Sequence, residues 1–186
     1  MKPRGYIVDS HDNDSAAFEN EAAVAPRRCA KCGELLAKWD EPLAGLRITR
    51  RKLDLSVTYD GIEIASAAFR RVVSLNQLTG LKFIPLPEDP DFFQVIATKV
   101  VAVDSAKTGV EFDKRCKKCG RHESVTLGGR DLVLKPSARI PARGFARTDL
   151  EFASEDEKCP IILCGHDAGE ILKKAKLRGM VLEPLE

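Results

Sequence analysis

Beyond Leu53 the spacing of apolar residues switches between two periods. Apolar and polar positions alternate in SVTY (56–59) and IEIA (62–65), on either side of a turn at Asp60-Gly61, and predict a hairpin. The next stretch, SAAFRRVVSLNQL, changes to helical spacing through Phe69, Val72, Val73 and Leu78. Ser66 is placed to cap its N-terminus and Gly80 to end it. LKFIPL then reads as a strand, and FFQVIATKVVAV as a further one. A turn through Asp104 to Gly109 leads into VEFDKR.

The C-terminal stretch repeats the scheme. CPIILCGHDAGEILKKAKLRGMVLEPLE predicts a strand over 160–164, a helix near 167–177, a stop at Gly179 and a closing strand. With an offset of 99, Leu78-Thr79-Gly80 falls on Leu177-Arg178-Gly179, Val72-Val73 on Ile171-Leu172, and Pro85-Leu86 on Pro184-Leu185. The expected fold is therefore α+β: two repeated strand–helix–strand units, one before and one after a second cysteine pair.

Residues 9–23 differ from this. They carry Asp9, Asp12, Asp14, Glu19 and Glu21 with no Lys or Arg and few large apolar residues. Such a composition predicts a flexible acidic arm, here 1–26, ahead of one domain over 27–186 with halves 27–113 and 114–186.

Composition is ordinary for a globular protein at 44% apolar and 31% charged, and a net charge of +2 points to no partner class. No apolar run approaches the roughly 18 residues that cross a bilayer, and the N-terminus lacks the apolar stretch of a secretory signal. The expectation is a cytoplasmic protein without a membrane partner. Six cysteines in a reducing compartment then call for something other than disulfides.

Two phrases supply it. RRCAKCGELL (27–36) and KRCKKCGRHE (114–123) each place two thiols a tight turn apart, with a Gly that permits the turn. Cys29, Cys32, Cys116 and Cys119 are the expected ligands of one structural Zn²⁺. The flanking Arg27, Arg28, Lys31, Lys114, Arg115, Lys117, Lys118 and Arg121 offset the negative charge of four thiolates. The pairs stand 83 residues apart, against about 15–20 in ordinary zinc ribbons. Closing the longer loop costs only about 1–2 kcal/mol, while structural zinc contributes on the order of ten.

A redox CxxC opens a helix, and the Gly after each pair here argues against one. Four Cys ligands leave a metal no open position for a substrate. Cys159 and Cys164 are five apart on a strand and face opposite sides, so with His166 they predict packing instead of a second metal site. Neither His11 nor His122 has an evident nucleophile and carboxylate arrangement beside it, and TLGGRD lacks the Lys-Ser/Thr of a phosphate loop. The chain reads as non-enzymatic. Nucleic-acid binding is the alternative, through the knuckle cations together with Arg47, Arg50, Arg51 and Lys52. No aromatics interleave with those charges.

CAKCG at 29–33, CKKCGR at 116–121, TDLEF at 148–152 and the ending IILCGHDAGEILKKAKLRGMVLEPL occur in an order that resembles the double-CXXCG motif proteins. The resemblance runs from Cys29 onward. Leu182 stands where that family carries an aromatic, and the segment after the first CxxCG is short. Some members are immunity proteins. The resemblance implies a zinc-held scaffold whose surface binds and neutralises a cognate protein toxin.

Overall fold

The computed structural model describes residues 3–18, 27–40, 43–129 and 131–185. Eleven strands among them form one mixed sheet: β1 (Gly5–Asp12), β2 (Leu55–Val57), β3 (Glu63–Ser66), β4 (Leu81–Leu86), β5 (Asp89–Ala97), β6 (Val100–Val101), β7 (Glu111–Arg115), β8 (His122–Thr126), β9 (Phe145–Ser154), β10 (Cys159–Gly165) and β11 (Met180–Leu185). Helix is sparse: α1 (Ala67–Leu75), the single turn α2 (Ser105–Thr108) and α3 (His166–Ala175).

A sheet of this extent overturns the expected α+β fold of two repeated strand–helix–strand units. The path runs β4-β5-β3-β2-β1-β10-β9-β8-β7, with β11 also on β1 and β6 parallel to β9. The strands flanking each helix do not pair with one another. β5 stands between β3 and β4, and β1 stands between β10 and β11. Neither helical unit satisfies its own backbone, so neither exists apart from the sheet. The sheet also curls: Thr79 and Gly144 form a parallel bridge that brings the start of β4 to the start of β9.

The N-terminal segment is a second correction. Residues 5–12 are not an arm but strand β1, paired over Gly5–Val8 with β10 and over Gly5–Ser10 with β11. Tyr6 and Val8 are buried in the core, Asn13 is fully buried, and Phe18 is buried as well. Asp14 pairs with Arg50 at 2.6 Å. Residues 19–26, the rest of the expected arm, lie outside the described residues.

Local readings fare better. β2 and β3 form the antiparallel hairpin expected around Asp60-Gly61. Ser66 Oγ accepts from the Phe69 N–H at 3.3 Å and caps α1. The helix stops at Leu75, short of Gly80, with Asn76 bonding back to the Val72 carbonyl through its side chain. The long strand expected over FFQVIATKVVAV breaks after Ala97, because β5 follows β4 whereas β6 crosses to β9.

Three apolar clusters hang from this sheet. Phe69 and Val73 of α1 and Ala168 and Leu172 of α3 cover Tyr6, Val8, Val95 and Phe145 on one face. Leu35, Leu43, Leu46 and Ile48 pack their loop onto Ile62, Ile64 and Phe92. Val125 joins Val101, Phe152 and Leu163. The second cluster anchors the chain just after Cys32, and the third anchors β8 just after Cys119. Hydrophobic burial thus delivers both cysteine loops to one place. No helix among the described residues is long and apolar enough to cross a membrane.

Candidate metal centre

The two cysteine loops share one backbone design. In the first, the Cys29 N–H donates to the Glu34 carbonyl and the Gly33 N–H to the Cys29 carbonyl, both at 2.8 Å. In the second, the Cys116 N–H donates to the Arg121 carbonyl at 2.8 Å and the Gly120 N–H to the Cys116 carbonyl at 2.9 Å. Gly33 (φ +79°) and Gly120 (φ +78°) adopt left-handed backbone, which a side chain at either position would strain. This is why each pair carries its glycine.

The sheet closes the gap in sequence. Sγ of Cys29 lies 3.9 Å from Sγ of Cys116, and Sγ of Cys32 lies 3.6 Å from Sγ of Cys119. All four sulfurs fall within 4.8 Å of one another and can hold a metal ion. A tetrahedral ion with metal–sulfur bonds of about 2.3 Å needs sulfurs about 3.8 Å apart, so the donor set fits such an ion. Among the described residues this is the one cluster of three or more metal-ligating side chains.

The thiols are prepared unequally. Backbone N–H groups of Cys119 and Lys118 lower the Cys116 thiol to about 6. Those of Lys31 and Cys32 lower Cys29. The Glu34 amide favours the Cys32 thiolate, yet desolvation and the neighbouring sulfurs push that thiol up to about 12. Four negative sulfurs cannot sit together without a cation to neutralise them. Cys29 and Cys116 are buried, whereas Cys32 is exposed and faces an open basin of about 820 Å³.

Charged side chains around the basin are largely paired. Arg28 meets Asp156 at 2.6 Å, Lys114 meets Glu123 at 3.1 Å, and Glu34 takes both Arg121 at 3.4 Å and Lys158 at 2.7 Å. Lys158 and Lys38 are each about 5% exposed. Lys38 donates to the carbonyls of Asp156 and Lys158 at 2.5 and 2.7 Å, and desolvation lowers its pKa. Sequence alone did not mark Glu34, Lys38 or Lys158, because the cations it pointed to lie beside the two cysteine pairs or at 47–52. Adjacency of Lys158 to Cys159 was the one available signal, and it points away from this site.

The remaining candidates lie elsewhere. Cys164 is a core residue, and burial pushes its thiol up to about 12. Cys159 lines a small cavity with Glu63 and Trp39, its thiol pushed up to about 11 by desolvation. His166 stacks on Tyr6 at 5.9 Å. Trp39 donates its indole N–H to Glu151 at 2.5 Å. Arg47, Arg50 and Arg51 pair with Glu88, Asp14 and Asp89. Compared with family models the chain finds no match, and compared with curated proteins it finds none either.

Proposed function

We propose that this chain is a non-enzymatic protein built around one structural Zn²⁺, held by Cys29, Cys32, Cys116 and Cys119, and that it acts through its surface as an immunity protein against a cognate protein toxin. The four convergent sulfurs carry the zinc half of this reading. Four thiolates fill a tetrahedral ion and leave it no position for water or substrate, so its role is to fasten rather than to react. The toxin half rests on the ordered motifs that resemble double-CXXCG proteins. On this reading the protein works in the cytoplasm, a reducing compartment in which thiols stay available to a metal.

The nucleic-acid alternative is the weaker of the two. Of the cations flanking the cysteines, Arg28, Lys114 and Arg121 are engaged with carboxylates, as are Arg47, Arg50 and Arg51, and paired charges release few counterions from a phosphate backbone.

Metal analysis of untagged protein purified under reducing conditions tests the zinc, with one ion per chain expected and none in Cys116→Ser. Co-purification with the product of a neighbouring toxin gene tests the partner. A salt titration of RNA and DNA binding tests the alternative. A steep salt slope, together with failure to capture the toxin, would overturn the immunity reading and leave the zinc standing.

A further inference from the structure

Metal-free zinc knuckles ordinarily come apart, because little besides the ion holds them. Here the loops are also fastened to each other. Glu34 and Arg121 occupy matching places, each five residues beyond the first cysteine of its loop, and each carbonyl receives that cysteine's N–H. Their side chains then cross over. Arg121 donates to the carbonyls of Leu35 and Leu36 at 3.0 and 2.6 Å, reaching past the first loop. Glu34 receives Lys158, which also donates to the His122 carbonyl at 2.6 Å, just past the second. Glu34 and Lys158 are both withdrawn from water, at 9% and 5% side-chain exposure. An ion pair so placed is expensive to break one partner at a time. Lys38 and Arg28 tie the same Asp156–Lys158 segment to the first loop.

We infer that this Glu34–Lys158–Arg121 latch keeps the two loops in register without metal, so that the four-thiol site is preformed and the ion enters and leaves the folded protein from the exposed Cys32 side. The inference rests on the zinc reading above. Glu34 is a positioning residue: it touches no metal and acts by holding the loops that do. Outer-shell partners of this kind are worth about 10–100-fold in metal affinity.

The test compares full-length wild type, Glu34→Gln and the double variant Glu34→Gln/Lys158→Met, each stripped of metal under reducing conditions and titrated with Zn²⁺ against a chelator and with Co²⁺ by absorbance. The double variant removes the lone buried ammonium that could unfold the single one. Stripped wild type is expected to keep its near-ultraviolet circular dichroism and a cooperative melt, with both variants binding Zn²⁺ about 10–100-fold more weakly. Hydrogen exchange on stripped wild type needs no variant: the amides of Cys29 and Cys116 stay protected if the loops remain closed. Loss of tertiary structure on stripping, unprotected amides, or wild-type affinity in both variants would overturn the latch and leave the zinc reading intact. Wild type that takes up neither ion after complete reduction is a separate failure, which removes the zinc reading and the latch with it.

Discussion

Glu63 is a carboxylate whose burial a stability measurement can read directly. It lies on β3, and among the described residues only the Ser10 hydroxyl donates to its carboxylate oxygens, at 3.0 and 2.9 Å. Voids of about 50 and 10 Å³ flank it, walled by Val95, Ile162, Phe69 and Phe145. Desolvation pushes its pKa from 4.5 to about 8, with Asp9 adding to the rise and the Ser10 bond opposing it. The folded state therefore holds this proton more tightly than the unfolded chain. The favourable contribution is complete below about pH 4.5 and is lost as pH climbs to about 8. At about 1.4 kcal/mol per tenfold change in proton affinity, the ceiling is about 5 kcal/mol. Glu63 retains some solvent-accessible surface, and water reaching the carboxylate reduces the effect to about 2 kcal/mol. Glu63→Gln keeps the shape and the Ser10 contact without the charge. Urea titrations of both proteins at pH 5, 7 and 9 should give similar stabilities at pH 5 and a variant more stable by about 2 kcal/mol at pH 9. Changes in metal occupancy with pH are common to both and cancel. Parallel stability curves across this range would refute the reasoning, since they would mean that Glu63 titrates alike in the folded and unfolded states.

Other perturbations address the site and the sheet. Cys116→Ser should abolish zinc binding, and at free zinc a thousandfold above Kd the wild type should exceed it by about 4 kcal/mol in chemical denaturation. Wild-type zinc should be released as pH falls, because protons compete for the thiolates, as read by a chelating dye. Gly80→Ala should lower stability by about 1–3 kcal/mol, since Gly80 has φ +90° and a Cβ there meets the Phe145 carbonyl. Faster exchange of the Phe145 amide, which donates to the Thr79 carbonyl across the seam, would locate that damage. Ser66→Ala should cost about 1 kcal/mol in a thermal melt through the lost α1 cap.

Short-range features of this protein were legible in its sequence. A hairpin needs only alternating residues and a turn between them, so β2 and β3 were readable from 56–65. A helix start needs one capping side chain, and Ser66 provides it. The cysteine loops were readable too, because each is a closed local device of two thiols, one glycine and an i+5 backbone bond. That the two loops meet was a reasonable expectation from the chemistry of zinc, and four sulfurs within 4.8 Å agree with it.

Tertiary structure alone decided which strands pair. Alternation shows that a segment is extended but not which distant segment completes its hydrogen bonds, and so β5 and β1 slip between the strands of each supposed unit. The acids of the N-terminal segment suggested solvation, yet Tyr6, Val8 and Asn13 are buried once β10 and β11 flank β1. Glu34, Lys38 and Lys158 were invisible for the same reason: the value of a charge depends on what excludes water around it, and that is settled only when residues more than a hundred positions apart come together.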